Sequence, residues 1–245
     1  AEALMRVELS QELAPASLTR LAEETHLRPE TAEQIKLLAA ESIFEAPPPS
    51  QWTDAPPPDA ATQQRILSAA RSYAATALRH LPDFLATRTT TGYANAPQRA
   101  DSKGRPFVVR THFVGQHHRE VTYRSGAEVT QLQNAASQPA STASEGFSTR
   151  GEFGPTLGMV LNGSANGTVS WSRWQRSPSG ERLAVFRYSV PRAVSEYRLD
   201  LCCFPTSVDD SAGVAFRDKP GFHGELLVHP DSGVVERVTV EAELP

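Results

Sequence analysis

GFHGELLVHPDSGVVERVTVEAELP, residues 221–245, reads as two strands joined by a turn, with apolar residues at alternate positions on either side. The strands are expected over 222–229 and 234–242. Between them Pro230 fixes one backbone dihedral, Asp231 can bond the turn, and Gly233 can adopt a positive φ. His229 and Asp231 are thereby explained as turn residues, without a catalytic role.

Upstream of this hairpin, strands are expected at Thr168–Gln175, Arg182–Val190 and Ser195–Cys203. Ser177-Pro178-Ser179-Gly180 turns the first of them back onto the second, and residues 205–220 read as a polar loop. Phe186, Tyr188 and Val190 share one face of a strand, as do Val234, Glu236, Val238 and Val240. Trp171 and Trp174, three apart, are expected on opposite sides of a regular strand. Pro155 can open a helix of about two turns over Thr156–Leu161; a competing start is the capping box Thr149-x-x-Glu152. Asn162-Gly163 and Asn166-Gly167 read as turns. Residues 134–150 lack periodicity and read as a long loop.

Earlier still, Phe84–Tyr93, the alternating set Phe107, Val109, Thr111 and Phe113, and the pair Val121 and Tyr123 suggest three strands in meander order. Asp59 can cap a helix running to about Leu81, with Ile66, Ala70, Tyr73, Ala74, Ala77, Leu78 and Leu81 on its apolar face, before Pro82 stops it. Residues 1–58 read as a separate helical arm. Ser17 caps its first short helix, and Pro29 opens a second that carries Ala32, Ile35, Ala39, Ser42 and Ile43 on one face. Pro47-Pro48-Pro49 and Pro56-Pro57-Pro58 flank Trp52 and favour an extended, stiff linker.

The expected fold is therefore α+β: a curved antiparallel sheet of seven or eight strands over 59–245, packed on one long helix in a half-barrel-like manner, preceded by the 1–58 arm. At 245 residues with 39% hydrophobic and 21% charged side chains, the chain can bury a sizeable core. A net charge of -4 gives no general electrostatic reason to bind nucleic acid or an anionic membrane. No run of about 18 apolar residues occurs, so no membrane span is expected. Ala1-Glu2-Ala3 without an initiator Met suits a mature product after signal cleavage, or a trimmed chain, and points to a periplasmic or extracellular setting. Cys202 and Cys203 are adjacent and can form only a strained vicinal disulfide or remain thiols.

Several motifs occur together: Leu81-Pro82-Asp83-Phe84 leading into Ala86-Thr87-Arg88-Thr89-Thr90, Ser148-Thr149-Arg150-Gly151-Glu152-Phe153-Gly154, Trp171-x-x-Trp174, Phe186-Arg187-Tyr188-Ser189-Val190-Pro191, and Gly224 with Val228-His229-Pro230-Asp231-Ser232-Gly233. In this order they resemble an uncharacterised family of secreted bacterial proteins, over roughly residues 64–245. The resemblance implies export and no particular activity, substrate or catalytic residue. The order of elements is also similar to the half-barrel architecture of LolA, LolB and RseB, which implies a cavity for acyl chains.

His112, His117 and His118 lie close together, with Glu120 nearby, and neutral imidazoles are good transition-metal ligands, but their spacing matches no established zinc pattern. Glu152 reads as a turn or capping residue, or as an acid at a helix start. G-x-S-x-G, S-x-x-K, H-E-x-x-H, the P-loop and G-x-G-x-x-G are missing. The expectation is a non-enzymatic exported binding or interaction protein without a metal or other cofactor. An apolar or acyl ligand would lie between sheet and helix, lined by Phe113, Trp171, Phe186 and Tyr188. The alternatives are an envelope scaffold that uses the 1–58 arm to hold a protein partner, and a metal-dependent hydrolase built on the histidines.

Overall fold

The structure is a computed structural model. It describes Leu4 and residues 7–94, 111–124, 127–129, 146–147, 155–177, 179–204 and 214–244. The chain forms two compact units. One comprises Ala1–Trp52 and Ala86–Glu120, the other Thr53–Leu85 and Val121–Pro245.

In the first unit, helix α1 (Pro15–Glu24) begins before the expected Ser17 cap, with Pro15 at its first position, and helix α2 (Pro29–Glu41) starts at Pro29 as expected. The buried side of α2 is Gln34, Leu37 and Leu38, one step round the helix from the expected stripe, and Ile43 is exposed. Ser42 explains part of that rotation. It is buried, its hydroxyl donates to Ala39 O, and it accepts from Leu13 N, which pins the segment before α1 to the end of α2. Trp52 Nε1 donates to Pro47 O at 2.8 Å, so the first triproline run is fastened by a side chain. Strands β1 (Phe84–Ala94) and β2 (His112–Arg124), most of whose residues belong to this unit, pair, and β3 (Ala127–Val129), whose residues are counted with the second unit, adds to the far edge of β2. β2 is continuous through Gly115-Gln116 and takes in both Phe113 and the pair Val121 and Tyr123, which were expected on separate strands; Phe107 and Val109 lie outside the described residues.

The second unit contains helix α3 (Ala60–His80), whose 21 residues make it the longest described helix. The Asp59 carboxylate caps it as expected, accepting from Thr62 N at 2.7 Å. Ile66, Ala70 and Ala74 form its buried stripe, while Tyr73 points outward. Helix α4 (Pro155–Asn166) starts at Pro155 but runs through Asn162-Gly163. Gly163 is a packing residue: a Cβ there would lie 3.2 Å from Phe222 and Val190.

Strands β5 (Thr168–Arg176), β6 (Arg182–Val190), β9 (Gly221–Val228), β10 (Val235–Val238) and β11 (Glu241–Glu243) form one antiparallel sheet, in the order β10-β9-β6-β5 with β11 also on β9. It is open, with β5 and β10 at its ends, and neither curls nor closes, so the expected curved half-barrel is not formed. The expected single sheet of seven or eight strands does not form. Pro191 ends β6 and a 3-10 turn, Arg192–Val194, redirects the chain. Ser195, fully buried, then accepts from Tyr197 N, which delays β7 to Leu199–Phe204. β7 pairs with β4 (Gly146–Phe147) and with β8 (Val214–Asp218), a strand where a loop was expected.

Ala184, Phe186, Tyr188 and Val190 of β6, with Phe222, Leu226 and Val228 of β9, bury against Ile66, Ala70 and Ala74 of α3 and Val160 and Leu161 of α4. Leu183, Val185 and Leu227 form a smaller buried cluster, which strand alternation assigns to the opposite face. The closing hairpin keeps its expected turn, with Gly233 N bonded to His229 O and Gly233 at φ 73°. Its second strand is interrupted. Register shifts between Val235 and Arg237, so Val235 rather than Val234 packs on the core with Val238 and Val240, and Glu236 is exposed.

Gly233 also rests on the α3 backbone, where an added Cβ would lie 2.4 Å from Ala69 C. A Gly233→Ala substitution combines a left-handed backbone cost with a backbone collision and is expected to lower stability by roughly 2–4 kcal/mol. Urea unfolding of the two proteins measures it, and a loss under about 0.5 kcal/mol, the range of an unremarkable surface change, would show that this seat is not formed.

Candidate functional site

Three of the four expected lining residues come together on the helix-covered face of the five-stranded sheet. Phe186 and Tyr188 are buried there, and Trp171 is half-buried. Phe113 does not join them: it is exposed on β2 in the other unit, edge-on to Tyr93 with ring centroids 6.2 Å apart.

Trp171 and Trp174 are on the same side of β5, contrary to regular alternation. A bulge between Trp171 and Arg173 inserts one residue against β6 and resets the phase. The two indoles meet edge-on at 4.8 Å, and Trp171 meets Phe186 edge-on at 5.4 Å. Offset and edge-on ring pairs of this kind are favoured by the ring quadrupoles. Arg182, at the start of β6, holds its guanidinium 4.5 Å above the Trp174 ring, a cation–π contact. The result is an aromatic ledge at the β5 edge of the sheet, continuous with the core. Trp174 and Arg182 are the members that sequence reasoning missed. A cross-strand neighbour of Trp174 could have been sought, but the bulge hides its phase.

The ledge carries a strap. Residues 53–59, which include the second triproline run, were expected to be a free spacer, yet Trp174 Nε1 donates to Pro56 O at 2.9 Å and Gln63 Nε2 of α3 donates to Pro58 O at 2.7 Å. Ala55 packs on the core cluster.

Tyr188 lies deeper. Its hydroxyl donates to Thr239 O, and burial, with Tyr197 adding to it, pushes the phenol well above its ordinary range. Gly224 leaves the room for this bond, since a Cβ there would fall 1.9 Å from the same carbonyl and 2.9 Å from the Tyr188 hydroxyl.

The opposite sheet face carries a charge network. Arg173 grips Glu225 through both terminal nitrogens, each at 2.7 Å, and reaches Gln175 Oε1 at 2.8 Å. Arg187 adds a contact to Glu225 at 3.3 Å. Burial pushes the Glu225 carboxyl up, but hydrogen bonds and charge from Arg173, then Arg187, outweigh it and leave the group below its ordinary value. Such a fork is a strong charge-assisted geometry.

The backbones of His112, His117 and His118 lie on the one strand β2. His118 Nδ1 is 2.9 Å from Thr89 Oγ1. Among the described residues no group of three His, Cys, Asp or Glu side chains is placed to hold a metal ion. His229 stands 2.9 Å from Glu236, consistent with a turn-supporting role. Glu152 lies outside the described residues. The backbone of Cys202 and Cys203 lies in β7. No described helix is long and apolar enough to cross a membrane.

No protein-family model matches the chain, and none of the curated proteins or solved structures matches it either.

The Glu225 contribution to stability has a definite sign. Because the folded carboxyl titrates below its unfolded value, the stabilisation is fully present above the ordinary carboxylate range and is lost as pH falls through the lowered folded value. Glu225→Gln is expected to cost about 1–3 kcal/mol at neutral pH, since Arg173 keeps only part of its partner. The variant should also show a shallower loss of stability on acidification. Chemical unfolding across pH 2–7, a range chosen to be roughly that of carboxylate titration, checks both; parallel curves for the two proteins would remove the assigned role.

Proposed function

We propose that this protein is a non-enzymatic binding or interaction module and that its contact surface is the ledge that Trp171 and Arg182 form over the buried Trp174. The half-buried state of Trp171 supports this reading: a large ring is braced against two others and still keeps surface open to a partner. Rigid aromatic side chains beside an arginine are the residues that dominate binding energy at interfaces. The titratable groups nearest the core are engaged structurally, Glu225 by two guanidinium groups and Tyr188 by a backbone carbonyl.

In this reading an apolar or acyl ligand meets the ledge instead of entering between sheet and helix, because Ile66, Phe186, Phe222 and Leu226 already fill that space. Export and an envelope partner for residues 1–58 rest on the motif order and on the proline-rich linker.

Titrating the whole chain with sodium laurate, read by tryptophan emission, tests the ledge. Saturable binding is expected, weakened about tenfold or more by Trp171→Ala with circular dichroism unchanged. Absence of a saturable response, or equal binding by the variant, would count against the ledge. Native mass spectrometry of protein purified without detergent should give the mass of the chain alone; a co-purified lipid that survives Trp171→Ala would move the ligand into the interior.

A further inference from the structure

Ala55, Pro56 and Pro57 each precede a proline, which pushes all three toward the polyproline II region, where backbone carbonyls have no internal hydrogen bond. Two carbonyls of the run are read by side chains from different elements: Pro56 O by the Trp174 indole of β5, and Pro58 O by the Gln63 amide of α3. Arg182 stacked on Trp174 stiffens the indole that makes the first contact. An aromatic wall with an indole donor aimed at a carbonyl of an extended proline run is the chemistry by which proline-rich segments are recognised, because the ligand is already stiff and loses little entropy. The same pairing of indole and proline carbonyl recurs between Trp52 and Pro47.

The strap is also held at a cost. Thr53 Oγ1, at its head, is buried and has no hydrogen-bond partner among the described residues. Lifting the strap would return that hydroxyl to water, which offsets part of the loss of the two carbonyl hydrogen bonds.

We propose that the strip between β5 and the start of α3, marked by the Trp174 and Gln63 donors, is a recognition site for proline-rich extended polypeptide, engaged in cis by residues 53–58. The inference rests on the ledge as contact surface and adds a polypeptide ligand to the apolar one proposed for it. A partner segment of the same chemistry binds in trans by displacing the strap, and its apparent affinity is reduced by the fraction of time the strap is seated.

The test uses the whole chain carrying Ala55→Gly, Pro56→Ser, Pro57→Gly and Pro58→Ser, which leaves the Asp59 cap in place. The probe is the blocked peptide Thr-Asp-Ala-Pro-Pro-Pro-Asp, and the control is the same peptide with its three prolines replaced by alanine. Calorimetric titration is expected to show the probe binding the variant about tenfold or more tighter than the natural chain, and tighter than the control by a similar factor. Adding Trp174→Phe, which keeps a ring and removes the donor, should abolish most of that gain. If the fourfold variant does not melt cooperatively, Pro57→Gly alone serves, with the same direction expected. No saturable binding of the probe, or equal binding of the control, overturns the proposal. Laurate titrated into the same variant separates the two readings: if it still saturates, only proline recognition falls, and if it does not, the ledge falls as well.

Discussion

Strand β9 must bury Phe222, Leu226 and Val228 almost completely while satisfying backbone hydrogen bonds along both of its edges. Unpaired peptide groups in such a position are expensive, so both edges need partners and the apolar face needs a lid. β6 takes one edge over seven register pairs from Ala184 to Val190. The other edge is shared by β10 and β11, and the interval between them is closed by Thr239, whose N–H donates to Glu225 O and whose hydroxyl accepts from Glu225 N. The Tyr188 hydroxyl takes the remaining Thr239 carbonyl from across the sheet. The lid is α3 and α4. Small residues at Ala70, Ala74 and Gly163 let the helices come close, and the Gly233 turn anchors the hairpin to the α3 backbone.

Where residue type alone dictates the backbone, the sequence was legible. The Asp59 cap, the proline starts of α2 and α4, the full span of β6 and the positive-φ glycine of the closing turn all follow from local chemistry. What stayed hidden is phase and partner. A bulge shifts the alternation in β5 and another in β10, and each moves a residue across the sheet without any mark in composition. Gly163 looks like a turn because its real constraint, the Phe222 and Val190 side chains, is distant in sequence. The site shows the same division. Trp171, Phe186 and Tyr188 could be grouped by strand alternation and aromatic character, whereas the Trp174 contact to Pro56 spans 118 residues and depends on the bulge. Phe113 was grouped by residue type, although it belongs to the other unit.

The two faces of the five-stranded sheet solve different problems. The helix-covered face gains from apolar burial, which has no directional demand. On the other face, Leu183, Val185 and Leu227 are buried beside Arg173 and Glu225, so the charged pair must be closely aligned to repay its loss of water. The bidentate fork and the added Gln175 contact meet that requirement. Such a pair fixes how β5 and β9 align across the intervening β6 more than it adds net stability.

The seat of the closing turn on α3 has a kinetic meaning. Arg65 reaches Pro230 O at 3.4 Å across 165 residues of sequence, and Gly233 touches the next turns of the same helix. During synthesis α3 leaves the ribosome long before the segment that covers it, so Ile66, Ala70 and Ala74 await their partners through most of chain growth. Contacts of such sequence separation slow folding and lengthen the exposure of apolar surface. The second unit therefore completes itself late, and a nascent chain stalled before β9 would present the α3 stripe as a target for chaperones.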